Sequence, residues 1–127
     1  MGPQLTAASF DSNILIDALA GIDAARDEIR STPDRWISRI TWIEVMVGAK
    51  PATSAVVERF LNGFAVDEVT EAIARRAATI RRMNTRIKLP DAIIWASAQL
   101  NGRLLVTRNT RDFAAGTPGI HVPYTLS

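Results

Sequence analysis

The chain has no cysteine and a single histidine, His121, among its 127 residues. Disulfides and thiolate metal sites are thereby excluded, and a reducing cytoplasm is the expected location. Long apolar runs are also missing. No stretch approaches the roughly 18–20 residues needed to span a bilayer, so no membrane role is expected. The opening "MGPQLTAAS" lacks the basic start and long apolar core of a signal peptide. Residues 1–8 are expected to be a disordered leader or a cloning remnant, without function. A strong charge of one sign is absent too: 15 Lys and Arg stand against 13 Asp and Glu, for a net +2. The pI near 9.7 leans basic, which permits contact with nucleic acid without demanding it.

What is present is enough apolar material for a core. A 47% hydrophobic content with 22% charged residues indicates one globular domain over residues 1–127. Within "ASFDSNILIDALAG" a short strand over Ala8 to Phe10 gives way to a helix with Ile14, Leu15, Ala18 and Leu19 apolar, stopped near Gly21. "IDAARDEIRS" reads as a second helix, "TPD" as a turn, and "RWIS" as a strand. The helix that follows carries Glu44 and ends near Gly48 and Pro51, with Trp42, Ile43, Val45, Met46 and Val47 expected on its buried side. "TSAVVERFLNGF" is helical and "AVDEV" a strand. The spacing of Ile73, Ala77, Ile80, Met83 and Ile87 predicts an amphipathic helix from Thr70 to Lys88. "LPDAIIWASAQLNG" is a further helix with Pro90 at its first position. "RLLVT" and "GIHVPY" are strands joined by the loop "RNTRDF". Alternating strands and helices indicate an α/β/α sandwich around a mostly parallel sheet.

Four acids fall where such a sheet gathers ligands. Asp11 follows the first strand, Glu44 lies on a helix after another, Asp91 sits in the first turn after Pro90, and Asp112 follows "RLLVT". Close carboxylates cannot all stay ionised without a cation between them, and Mg²⁺ (or Mn²⁺) takes carboxylate oxygens. A metal, helped by a nearby Arg or Lys, would account for Glu44 within its apolar stretch. Such a site supports phosphodiester hydrolysis with activated water. Each acid has a plainer reading as well. Asp91 is a good first-turn acid, Asp11 with Asn13 a good helix cap, Glu44 an edge residue reaching water, and Asp112 a loop acid.

The motifs "FDSNILIDAL", "ITWIEVMVG", "LPDAIIWASAQLNG" and "LLVTRNTRDF" together resemble the PIN domain, and within it the VapC-type toxins of bacterial toxin–antitoxin pairs. The resemblance runs from about Ser9 to Tyr124. It implies a three-layer nuclease fold in which Asp11, Glu44 and Asp91 form a Mg²⁺/Mn²⁺ pocket. The fourth position is either Asp112 or Asn109, which stands where some relatives carry Asp. Asn13 matches the family's Asp-x-Asn motif and is implied to orient Asp11 or the loop, while Ser12 replaces a frequent Thr. The resemblance further implies cleavage of RNA, commonly tRNA or rRNA, a homodimer, and inhibition by a cognate antitoxin whose tail occupies the acidic groove.

Outside the acids, Arg108 and Arg111 flank the loop and are candidates for phosphate contacts or simply surface residues, with Asn13 and Asn109 beside them and Thr107 offering its hydroxyl to the metal site or to phosphate. Arg75, Arg82 and Arg86, with Lys88 beyond, are expected on one helix face, tracking a nucleic-acid backbone or simply solvated. Trp36, Trp42 and Trp95 are assigned to core or interface, and Asp17 to the surface. Two rival functions are a PIN-like module that binds RNA or protein without catalysis, and a dehalogenase-like phosphatase with Asp11 as nucleophile. The second lacks its acid two residues on, where Asn13 stands.

Overall fold

A computed structural model describes residues 6–126. The first strand, β1 (Ala7–Phe10), is followed by α1 (Ser12–Leu19), α2 (Asp23–Arg30) and β2 (Asp34–Ser38). Next come α3 (Arg39–Val47), α4 (Ser54–Leu61), β3 (Ala65–Asp67), α5 (Glu71–Met83), α6 (Leu89–Leu100), β4 (Leu104–Val106) and β5 (Ile120–His121). The strands form one sheet in the order β3-β2-β1-β4-β5, and every described pairing is parallel. Helical crossovers are what parallel neighbours require.

Alternation along the strands creates the three layers. Leu105 and Val106 are adjacent on β4, yet they enter opposite cores. Val106 joins Phe10, Ile14, Leu15, Ile37 and Leu61 beneath α1–α4, and Leu105 joins Ile73, Ala77, Ile80, Ile94 and Phe113 beneath α5 and α6. The expected α/β/α sandwich is the observed fold.

Several boundaries differ from expectation. Ala7 and Ala8 belong to β1, so the expected disorder does not extend to residue 8, and residues 1–5 lie outside the described ones. The helix expected to reach Lys88 stops at Met83, where Asn84 leaves helical geometry (φ −141°, ψ 91°). Ile87 kept the apolar period going, but it is buried from a turn. Arg86 therefore does not share a helix with Arg75 and Arg82. On α3, Val45 is buried as expected, but Ile43 and Val47 are 45% and 79% exposed. The last strand covers two residues of "GIHVPY", which fits Pro123 lacking a donor to continue it.

Candidate active site

The chain turns left from β1 to β2 and β3, then returns to β4 and β5 on the other side. The strand order thus reverses between β1 and β4, and crevices at such a switch point collect ligands. Asp11 leaves β1 at that place, anchored by its N–H donating to the Val106 carbonyl at 2.9 Å. It caps α1, and its side chain is almost fully enclosed, at 4% exposure.

Three hydrogen-bonding groups fix the Asp11 carboxylate. Ser12 N–H donates to Oδ1 at 2.7 Å, Thr107 Oγ1 to Oδ2 at 2.7 Å, and Asn13 Nδ2 to Oδ2 at 3.3 Å. Asn13 also donates to Thr107 Oγ1 at 3.3 Å, which closes the set. Burial pushes Asp11 above the ordinary carboxylate range; the bonds from Thr107 and Ser12 pull back, and the Glu44 charge pushes up again.

Ser12 also joins two acids. Its backbone holds Asp11, and its hydroxyl donates to Glu44 Oε1 at 2.5 Å. The sequence assigns Ser12 no role beyond replacing a frequent Thr, because a Ser after an acid reads first as part of a helix cap. The expected Arg or Lys beside Glu44 is not found: among the described residues Glu44 makes no ion pair, and Ser12 is its partner.

Asp91 occupies the first turn of α6, which starts one residue before Pro90. Burial raises its carboxyl to about 6, with the charges of Asp11, Glu44 and Asp112 adding to the push and Lys88 opposing it. Four acids from four separate parts of the fold therefore share one electrostatic neighbourhood. Asp112 is held by Asn109, whose Nδ2 donates to Oδ2 at 3.0 Å and whose Oδ1 accepts the Asp112 N–H at 3.3 Å. A groove of about 480 Å³ beside Asp91 is lined by Asp112, Asn109, Arg111, Arg86 and Lys88.

A chain that gathers these side chains around one sheet crevice matches the PIN-domain family model over residues 9–116. The chain belongs to the PIN-domain family. Ribonuclease VapC10 of Mycobacterium tuberculosis is 37% identical over 110 residues, covering 81% of this chain and 83% of the relative. A chain in a toxin–antitoxin complex from Klebsiella pneumoniae superposes with a TM-score of 0.86 at 44% identity, covering 94% of this chain and all of that one. DNA-bound VapBC from Salmonella typhimurium gives 0.79 at 26% identity, covering 95% and 98%. These relatives place the chain with the VapC type of PIN domain.

Which residues of this PIN domain could hold a metal depends on donor chemistry. Asp11, Glu44, Asp91 and Asp112 offer hard carboxylate oxygens, suited to Mg²⁺ or Mn²⁺. Their mutual charge, read at Asp91, is the kind that a divalent ion relieves. Among the described residues no three His, Cys, Asp or Glu side chains already converge as a ligand cluster. Each of Asp11, Glu44 and Asp112 is turned toward a neutral donor instead. Mg²⁺ keeps several waters and needs only one or two direct carboxylates, so this donor set fits it.

Thr107 is fully buried with its hydroxyl on Asp11, on the side of the acids rather than of a phosphate. Two sequence expectations change. The Arg108 guanidinium grips Asp17 through Nε at 2.7 Å and Nη2 at 2.9 Å, which withdraws it from a phosphate role. Asp17, expected on the surface, is 6% exposed. Arg111 is exposed on the groove as expected. Asn13 bridges Asp11 to the loop, accepting the Arg108 N–H at 3.1 Å.

Proposed function

We propose that this protein is a Mg²⁺- or Mn²⁺-dependent endoribonuclease and the toxin of a toxin–antitoxin pair, acting in the cytoplasm on tRNA or rRNA to arrest translation. The observation that carries the reading is Asp91, whose carboxyl is raised to about 6 by burial and by Asp11, Glu44 and Asp112 together. The VapC10 relative and the Klebsiella toxin–antitoxin complex support the same assignment.

Asp11, Glu44, Asp91 and Asp112 are the residues that would hold the metal, with Asn109 supporting Asp112. When bound, the ion supplies activated water and charge stabilisation at the phosphate. The chain's own work is orientation: Ser12, Asn13 and Thr107 fix the acids before substrate arrives. Arg86, Lys88 and Arg111, which share the groove with Asp91, bind backbone phosphates. The apolar groove lined by Ile16, Leu19, Val45, Val56 and Val57 is the surface for an antitoxin, and exposed Met83 and Leu89 offer contact to a second copy in a homodimer.

Purified protein is expected to cleave RNA with Mn²⁺ or Mg²⁺ and to stop on adding EDTA. Asp11→Ala or Asp91→Ala should lower cleavage by about a hundredfold or more while circular dichroism is unchanged. Undiminished cleavage by the double variant would refute the assignment. The reading as a binding module without catalysis draws on the absence, among the described residues, of a convergent acid trio. Calorimetry separates the two, because that module would bind no divalent ion at millimolar concentration.

A further inference from the structure

Asp17, Arg108 and Tyr124 come from α1, the loop after β4 and the segment beyond β5, and none of them faces the acid groove. Asp17 Oδ2 accepts from Arg108 Nε and from the Tyr124 hydroxyl, each at 2.7 Å, and Oδ1 accepts from Arg108 Nη2 at 2.9 Å. Burial pushes the Asp17 carboxyl up, but the bonds from Arg108 and Tyr124 and the Arg108 charge more than offset it, leaving it below its ordinary value. Asp17 is thus gripped by Arg108 in two-pronged geometry, which fixes direction as well as distance. The Tyr124 ring packs on the core beneath α1–α4, so its hydroxyl is anchored from the other end.

The grip continues toward the pocket through the Arg108 backbone. Its N–H donates to Asn13 Oδ1 at 3.1 Å, which turns the Asn13 amide so that Nδ2 faces Asp11 and Thr107. An amide whose oxygen is claimed on one side has its NH₂ aimed on the other. Arg108, held by Asp17 and Tyr124, is in this way linked through Asn13 to Asp11, which Ser12 and Thr107 also hold.

We propose that Asp17, Arg108 and Tyr124 form a positioning clasp that sets the Asn13 amide and through it the Asp11 carboxylate, so that Tyr124 tunes the pocket's hold on a divalent ion. The ion part rests on the nuclease reading; the Asn13 part does not.

The test uses the full chain without RNA. Tyr124→Phe removes one hydroxyl and keeps the ring in the core, so folding is preserved. Mn²⁺ affinity by calorimetry should fall about three- to tenfold in Tyr124→Phe and further in Asp17→Asn, below the loss typical of a direct outer partner. Arg39→Gln breaks the exposed Arg39–Glu68 pair and serves as control, with no change expected. In ¹⁵N–¹H spectra the Asn13 side-chain amide should shift in Tyr124→Phe and stay fixed in the control. Where wild type binds Mn²⁺, both changes together support the clasp, and either one missing overturns it. A wild type that binds no Mn²⁺ sinks the nuclease reading instead. The Asn13 amide then decides the positioning alone, and an unmoved signal overturns it.

Discussion

Asp91 is where a single side chain registers the state of the whole pocket. Its value near 6 lies above the ordinary 3.8 because burial and three neighbouring carboxylates disfavour its charge. The folded protein therefore holds the Asp91 proton more tightly than the unfolded chain. This contribution to stability is full below about pH 4 and is lost as pH rises through about 6. Asp91→Asn removes the repulsion, so in chelator at about pH 8 the variant should be more stable than wild type by about 1 kcal/mol, a figure reduced for partial solvent screening. At about pH 4 the gain should vanish. Urea unfolding at the two pH values measures both, and a less stable variant in chelator at the higher pH would contradict the electrostatic account. Saturating Mn²⁺ should reverse the order, because wild type keeps a ligand the variant has lost.

Among the elements, the parallel sheet is tied on its α6 side by a buried ion pair that local patterns do not reveal. Arg103 enters β4, lies over the Trp36 ring of β2 at 4.2 Å, donates through Nε to Ser9 Oγ on β1 at 3.1 Å, and pairs with Asp67 of β3. One side chain thus connects four strands. The pair is 11% and 8% exposed, so removing one partner strands a charge. Arg103→Met should destabilise by about 3 kcal/mol, and Arg103→Met with Asp67→Asn by clearly less. Denaturant midpoints of the three proteins check this, and equal losses in single and double variants would deny the stranded charge. The same contrast explains what could be read from sequence. Gly21, Pro90 and Asn101-Gly102 punctuate the helices within a few residues of their ends, so most elements are legible. The end of α5 was hidden because Ile87 continued the helical period from a turn. Arg108 and Asp17 lie 91 positions apart, and no spacing rule pairs them. The four acids were nameable because Asp11 stands just after a strand, Asp91 in a first helical turn, Glu44 alone in an apolar helix and Asp112 alone among acids in its loop. Arg108 and Asp17 were misplaced, and Ser12 was given no role, because what they do depends on partners brought by the fold.

Across the whole molecule, a net charge of +2 conceals a division of labour. The acids gather at the sheet crevice, while Arg86, Lys88 and Arg111 share a groove with Asp91 and Asp112. On the proposed reading, an RNA strand is repelled by the first group and held by the second. The acids alone would exclude a polyanion, so binding without metal should depend on the basic wall. Each phosphate contact on a single strand contributes about 0.7 to the slope of log affinity against log salt. Replacing Arg86, Lys88 and Arg111 together by Gln should therefore flatten that slope by about 2 for a non-cleavable RNA in EDTA. Fluorescence anisotropy over a salt series reads the slope directly. Loss should be uniform across RNA sequences, since phosphates carry no base identity. A triple variant with an unchanged slope would place the strand elsewhere on the surface. Fluorescence measured with Mn²⁺ present extends the argument: neutralising the acids should strengthen RNA binding by wild type and triple variant alike, because the ion acts on the crevice and not on the wall.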